Sequence, residues 1–69
     1  MKRLSYEEVN SLINWEFFEV AEKLNDGWNR RGENDNYYSD ENYKTADWRI
    51  VDKKTNQEVY SYYKDFYND

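Results

Sequence analysis

The sequence predicts a small α+β domain, in which one N-terminal amphipathic helix packs on a small antiparallel sheet built from a C-terminal β-hairpin. The chain has 69 residues, which suits a single domain. Apolar residues recur with a helical period in its first third, and the period changes to two after about residue 46. Aromatic residues make up 20% of the chain, more than an acidic disordered tail would carry. Because a lone hairpin needs another element to cover it, the helix and the hairpin are expected to pack together.

The helix has the clearest local signal, a start at Ser5. The Ser5 hydroxyl can accept from the N–H of Glu8, and the Glu8 carboxylate can accept from the N–H of Ser5. A single apolar stripe follows at i, i+3 and i+4 spacing: Val9, Leu12, Ile13, Phe17, Val20, Ala21 and Leu24. Gly27 can adopt a left-handed conformation just beyond the last turn. These signals predict a helix over about residues 6–25.

Residues 26–45 are rich in Asn, Asp and Gly and show no clean period, which predicts an acidic aromatic loop. Loops longer than about 12–15 residues are usually functional or disordered. The rings of this segment favour an ordered loop and therefore a binding site: Trp28, Tyr37, Tyr38 and Tyr43. A short edge strand fits at Tyr37-Tyr38.

Alternation of apolar and polar residues predicts the β-hairpin over about residues 46–62, with Trp48 and Ile50 on one face and Arg49 on the other. Residues 53–56 form its polar turn. The C-terminal segment, 63–69, either continues the strand or forms a short helix, which is the favoured reading.

Composition argues against catalysis. The chain has no Cys and no His, so it lacks thiol nucleophiles, imidazole bases and Cys/His zinc sites. The carboxylates of residues 33–41 lack the spacing and central Gly of a calcium-binding loop. We therefore expect no enzyme, no cofactor and no metal site.

Charge favours a basic partner. The net charge of −5 and the isoelectric point of about 4.6 repel phosphates and anionic lipids and attract cationic surfaces. No apolar run is long enough for a signal sequence or a membrane span. We expect a cytoplasmic protein that contacts neither nucleic acid nor membrane directly.

Trp15 and Phe18 do not fit the apolar stripe. On the predicted helix they project away from Val9 and Ile13, among Glu19 and Glu22. Either the C-terminal segment or the Trp28 region covers them, or they form an interface with a partner or a second copy.

The segment from Asp26-Gly27-Trp28-Asn29 through Tyr43, in a tiny acidic chain without Cys, resembles the small phage-encoded inhibitors, among them anti-CRISPR proteins and DNA mimics. The resemblance covers about residues 25–45, and Arg30-Arg31 departs from the unbroken acidity of a DNA mimic. It implies a stoichiometric inhibitor that blocks a basic, nucleic-acid-binding surface of a host defence or DNA-processing protein in a bacterial cell.

The predicted partner-binding residues combine aromatic anchors with carboxylates that would meet Lys and Arg of the partner. They are Trp15, Phe18, Glu19, Glu22, Asp35, Tyr37, Tyr38, Asp40 and Glu41. The alternative function is a small homo-oligomeric structural or regulatory protein of a low-GC bacterium or phage. In that case a homodimer forms through Trp15 and Phe18, and association supplies the stability that a small core lacks.

Overall fold

A computed structural model describes residues 3–62 and contains one helix followed by five strands within that range. Helix α1 is Tyr6–Trp15. The strands are β1 Phe18–Lys23, β2 Trp28–Glu33, β3 Tyr37–Asn42, β4 Trp48–Asp52 and β5 Gln57–Ser61. All neighbours pair antiparallel in the order β1-β2-β3-β4-β5, so the sheet is a simple meander.

Short turns built from Asn, Asp and Gly connect the strands. Asp26 and Gly27 have φ of 61° and 89° between β1 and β2, and Trp28 N–H donates to Asn25 O at 3.2 Å. Positive φ at both central positions is the pattern of a type I′ hairpin turn. The next three turns are each held by hydrogen bonds from backbone N–H groups to an Asn or Asp side chain. The side-chain oxygens of Asn34, Asn42 and Asp52 each accept from the N–H groups two and three residues further on.

Helix α1 covers the sheet at β4 and β5. The capping box at Ser5 and Glu8 is confirmed, with N–H to side-chain oxygen distances of 3.0 and 3.1 Å. The buried core is small and joins the helix to these two strands through Val9, Ile50, Val59 and Tyr60. Leu4, Phe17, Tyr37, Trp48 and Tyr62 pack around it. Leu4 N–H also donates to Val59 O at 2.9 Å, which ties the start of the chain to β5.

The predicted helix over 6–25 is wrong beyond Trp15. Glu16 caps the helix with φ −124°, and residues 18–23 form β1 instead. The segment Phe18–Lys23 does not alternate cleanly and its register with β2 shifts between Glu19 and Glu22, but the Asp-Gly turn after it lets β1 pair with β2. Long-range pairing therefore overrides the helical spacing of Val20, Ala21 and Leu24.

The predicted loop over 26–45 is also wrong, because it contains β2 and β3. The two strands predicted for 46–62 exist as β4 and β5, but they end a five-stranded sheet rather than forming a separate hairpin under a long helix. The fold is thus a sheet-dominated α+β fold with one short N-terminal helix. The helix predicted for the C-terminal segment, 63–69, lies outside the described residues.

Candidate functional site

An aromatic patch lies where α1 ends and β1 begins. Trp15 is 84% exposed and Phe18 is 73% exposed, and both border one open depression of about 310 Å³ with Asp35 from the β2–β3 turn. Ile13 is also exposed, and it lines a neighbouring depression together with Phe17 and Phe18. We call Ile13, Trp15, Phe17 and Phe18 the aromatic patch. Contiguous apolar side chains on a surface are typical of an interaction site.

Carboxylates surround the aromatic patch. Glu16 and Asp35 border the depression beside Trp15, and Glu19 borders the depression beside Ile13. No hydrogen bond or ion pair within residues 3–62 engages these three side chains. Arg31 lines the same depression as Glu19. An apolar centre with a polar, mostly acidic rim has the anatomy of a protein interface.

A second cluster lies on the sheet face that the helix does not cover, centred on Asp40. This carboxylate is 0% exposed. Arg30 Nε donates to its Oδ1 at 2.9 Å and Nη2 donates to its Oδ2 at 3.3 Å, while Arg49 Nε donates to Oδ2 at 3.1 Å. Asp40 pairs with Arg30 on β2 and with Arg49 on β4 in register, so the three side chains form one row across the sheet.

Aromatic rings hold both guanidinium groups over Asp40. The guanidinium carbon of Arg30 lies 3.6 Å from the centre of the Tyr38 ring, and that of Arg49 lies 3.9 Å from the Trp28 ring. Burial alone would lower the pKa of Arg30, but its hydrogen bond to Asp40 and the nearby negative charge raise that pKa overall. We call Trp28, Arg30, Tyr38, Asp40 and Arg49 the arginine–aspartate cluster.

Lys53 extends this face at the β4–β5 turn. Its Nζ lies 2.7 Å from Glu33 Oε2 and 4.8 Å from the centre of the Tyr38 ring. The hydrogen bond to Glu33 raises the pKa of Lys53 above its usual value. Because positive and negative charges alternate across this face, it does not present a continuous acidic surface.

The structure brings together four of the nine predicted partner-binding residues, namely Trp15, Phe18, Glu19 and Asp35 at the aromatic patch. Glu22 is exposed further along β1, opposite Arg30. Glu41 is exposed at the other end of the sheet, where it pairs in register with Asn29 and Trp48.

The remaining three predicted residues lie inside the molecule or partly so. Asp40 is the buried centre of the arginine–aspartate cluster. Tyr37 is half-buried against the core, and the half-buried Tyr38 supports Arg30. All three side chains make contacts within the chain, with the core, with Arg30 or with both arginines.

The apolar stripe predicted both Ile13 and Phe17 as core residues. Phe17 does pack against the core, whereas Ile13 is exposed and belongs to the patch, which the sequence did not indicate. A signal for the strands was present. Asp26, Asn34, Asn42 and Asp52 recur at intervals of 8–10 residues, which is the spacing of turns in a meander of short strands. This spacing predicts a strand before Asp26, so the helix would end before Phe18 and the patch residues would lie outside a buried helical stripe.

Comparison of the chain with protein-family models, with curated proteins and with solved structures finds no match. Within residues 3–62, no helix has both the length and the apolar character that crossing a bilayer requires. In the same range, no three acidic side chains converge as a metal site would need. The feature that bears on function is therefore the geometry of the aromatic patch.

Proposed function

We propose that this chain is a protein-binding module that uses the aromatic patch to dock on an apolar cavity of a partner protein, with cations of the partner around that cavity. The observation that carries the proposal is the exposure of Trp15 and Phe18. Burying a ring of this size contributes roughly 2–3 kcal/mol. A chain with only five buried hydrophobic side chains among its described residues leaves that stabilisation for a partner to supply.

The acidic rim defines the chemistry of the partner. Glu16, Glu19 and Asp35 lie beside the rings, and none of their side chains forms a hydrogen bond or an ion pair within the described part of the chain. Together with the net charge of −5, they steer association towards a basic surface. The association rate should therefore fall as ionic strength rises.

The narrower form of this proposal is a stoichiometric inhibitor that blocks the basic, nucleic-acid-binding surface of a host defence or DNA-processing protein. The support for it is the charge complementarity at the rim. The cluster around Asp40 gives it no support, because the charge of that carboxylate is matched internally by two arginines. If the narrower proposal is right, the chain and nucleic acid compete for one site on the partner.

Photo-cross-linking tests the proposal. A benzophenone amino acid replaces Trp15 in one sample and Tyr43 in a control, because Tyr43 is 69% exposed and lies at the far end of the sheet. We expect cross-links to a bacterial protein from position 15 and not from position 43. Equal cross-linking at both positions would contradict the proposal.

Affinity for the captured and purified partner gives a quantitative test. The double variant Trp15→Ala/Phe18→Ala should bind roughly 30-fold more weakly, as loss of interface hot spots does, while Tyr43→Ala binds as the unchanged chain. The thermal unfolding midpoint should hardly move in any of these variants, since all three rings are exposed. Cross-links only between copies of this chain, with mass doubling in sedimentation, would favour the homodimer instead.

A further inference from the structure

We propose that the outer edge of β1 receives an extended segment of the partner, which adds to the sheet as a sixth strand and carries Lys or Arg beside Glu19 and Glu22. This inference rests on the proposed function, because the aromatic patch adjoins the start of β1. It specifies how the partner is recognised, namely by main-chain hydrogen bonds together with pockets for side chains.

The edge of β1 is open within residues 3–62. β1 pairs with β2 on one side, and no described strand pairs with it on the other. Five of its six residues are exposed, and Val20 is half-buried. The opposite edge, β5, is partly covered by the start of the chain. Leu4 N–H donates to Val59 O, and Arg3 Nη2 lies 3.4 Å from Glu58 Oε1. An open edge offers unpaired N–H and C=O groups to another strand.

The carboxylates of Glu19 and Glu22 on β1 favour pairing with a basic segment and disfavour pairing with a second copy of this chain. If two copies of β1 paired antiparallel along their full length, Glu19 of each would lie opposite Glu22 of the other. Like charges directly opposite each other destabilise a strand pair, whereas Lys or Arg at those positions stabilises it. Within the sheet Glu19 lies opposite Gly32 and Glu22 lies opposite Arg30, with a shift of register between the two pairs, so neither carboxylate lies opposite another.

The aromatic patch then fixes where the added strand lies. Phe18 is both the first residue of β1 and a wall of the depression that contains Trp15 and Asp35. A segment that runs along β1 therefore ends beside these rings, where an apolar side chain of the partner can be buried. The same partner segment therefore pairs with the edge of β1 and buries a side chain against the rings of Trp15 and Phe18.

Hydrogen exchange measured by NMR on the full chain tests this inference. The probe is an eight-residue peptide of alternating Lys and Val with blocked ends. Two control peptides carry Glu in place of Lys or N-methyl groups on alternate amides, which prevents strand pairing. We expect the Lys peptide to slow exchange of alternate β1 amides about tenfold at saturation and to shift the Trp15 indole signal. Neither control peptide should slow exchange.

Matched variants test the charge rule. Glu19→Gln/Glu22→Gln should weaken binding of the Lys peptide roughly three- to tenfold at low salt. Glu7→Gln/Glu41→Gln removes the same charge from exposed positions outside β1 and should leave binding unchanged. Equal weakening by both pairs would show attraction by net charge alone and would overturn the assignment to β1.

Other results separate this inference from the proposed function. Slow exchange, in the free chain, of the β1 amides that point away from β2 would mean that the edge is already occupied, and slowing that grows with protein concentration would identify a second copy. Either overturns strand addition, as does a Lys peptide that fails to bind or that shifts Trp15 without slowing β1. None of these results alters the cross-linking outcome at position 15, which decides the proposed function on its own.

Discussion

At the scale of single residues, Asp40 shows how one buried charge can connect three strands. Its carboxylate accepts from Arg30 on β2 and from Arg49 on β4, and the rings of Tyr38 and Trp28 hold the two guanidinium groups in place. A charge removed from water is tolerated only when its hydrogen bonds are satisfied. Within residues 3–62, every buried side-chain nitrogen and oxygen has a partner.

Asp40→Asn removes that charge while nearly keeping the shape of the side chain. We expect the free energy of unfolding to fall by about 2–4 kcal/mol, because two half-buried guanidinium groups lose their counter-ion. Glu41→Gln on the same strand removes an equal charge from an exposed position and should change stability by less than about 0.5 kcal/mol. Urea denaturation measures both. Similar values for the two variants would contradict the role assigned to Asp40.

At the scale of elements, the turns decide which segments become strands. Asp26-Gly27 is a stop signal for a helix and a start signal for a hairpin, and the sequence satisfies both readings. The positive φ of both residues and the pairing of β1 with β2 settle it as a hairpin turn. The three other turns begin at Asn34, Asn42 and Asp52. Asn and Asp are common in irregular loops as well as in tight turns, so the local sequence does not distinguish the two.

Gly27→Ala tests the first turn. A Cβ there would lie 2.9 Å from Asn42 Oδ1, which is held by two backbone N–H groups, and φ is already +89°. We expect a loss of about 1–3 kcal/mol in the free energy of unfolding. Gly32→Ala is the matched control, because its Cβ meets neighbours at 3.5 Å or more, and it should stay within about 0.5 kcal/mol. An equal loss in both variants would contradict the turn assignment.

At the scale of the whole molecule, stability is unevenly distributed. The fully buried side chains lie mainly on β4 and β5 and on the helix that covers them, whereas β1 has no fully buried residue. Regions with little buried apolar surface open more easily than the core. The aromatic patch lies at this weaker end, where a partner contributes most.

Native-state hydrogen exchange should reveal this gradient in the free chain. We expect the amides of β4 that pair within the sheet to exchange slowest, at rates that report global unfolding, and those of β1 to exchange at least about tenfold faster. The measurement is a residue-resolved exchange series at several denaturant concentrations. Uniform protection across all five strands would contradict it.

Local sequence patterns predict the start of the helix at Ser5, the alternation of β4 and β5, and the position of Trp15 and Phe18 away from the apolar stripe. These depend on contacts between residues close in the chain, which short-range patterns encode. The strand at residues 18–23, the burial of Asp40 and the exposure of Ile13 in the aromatic patch follow instead from contacts between segments far apart in the chain. The physical reason is that each depends on which distant strand lies alongside, and the free energy of that pairing outweighs local helical preference.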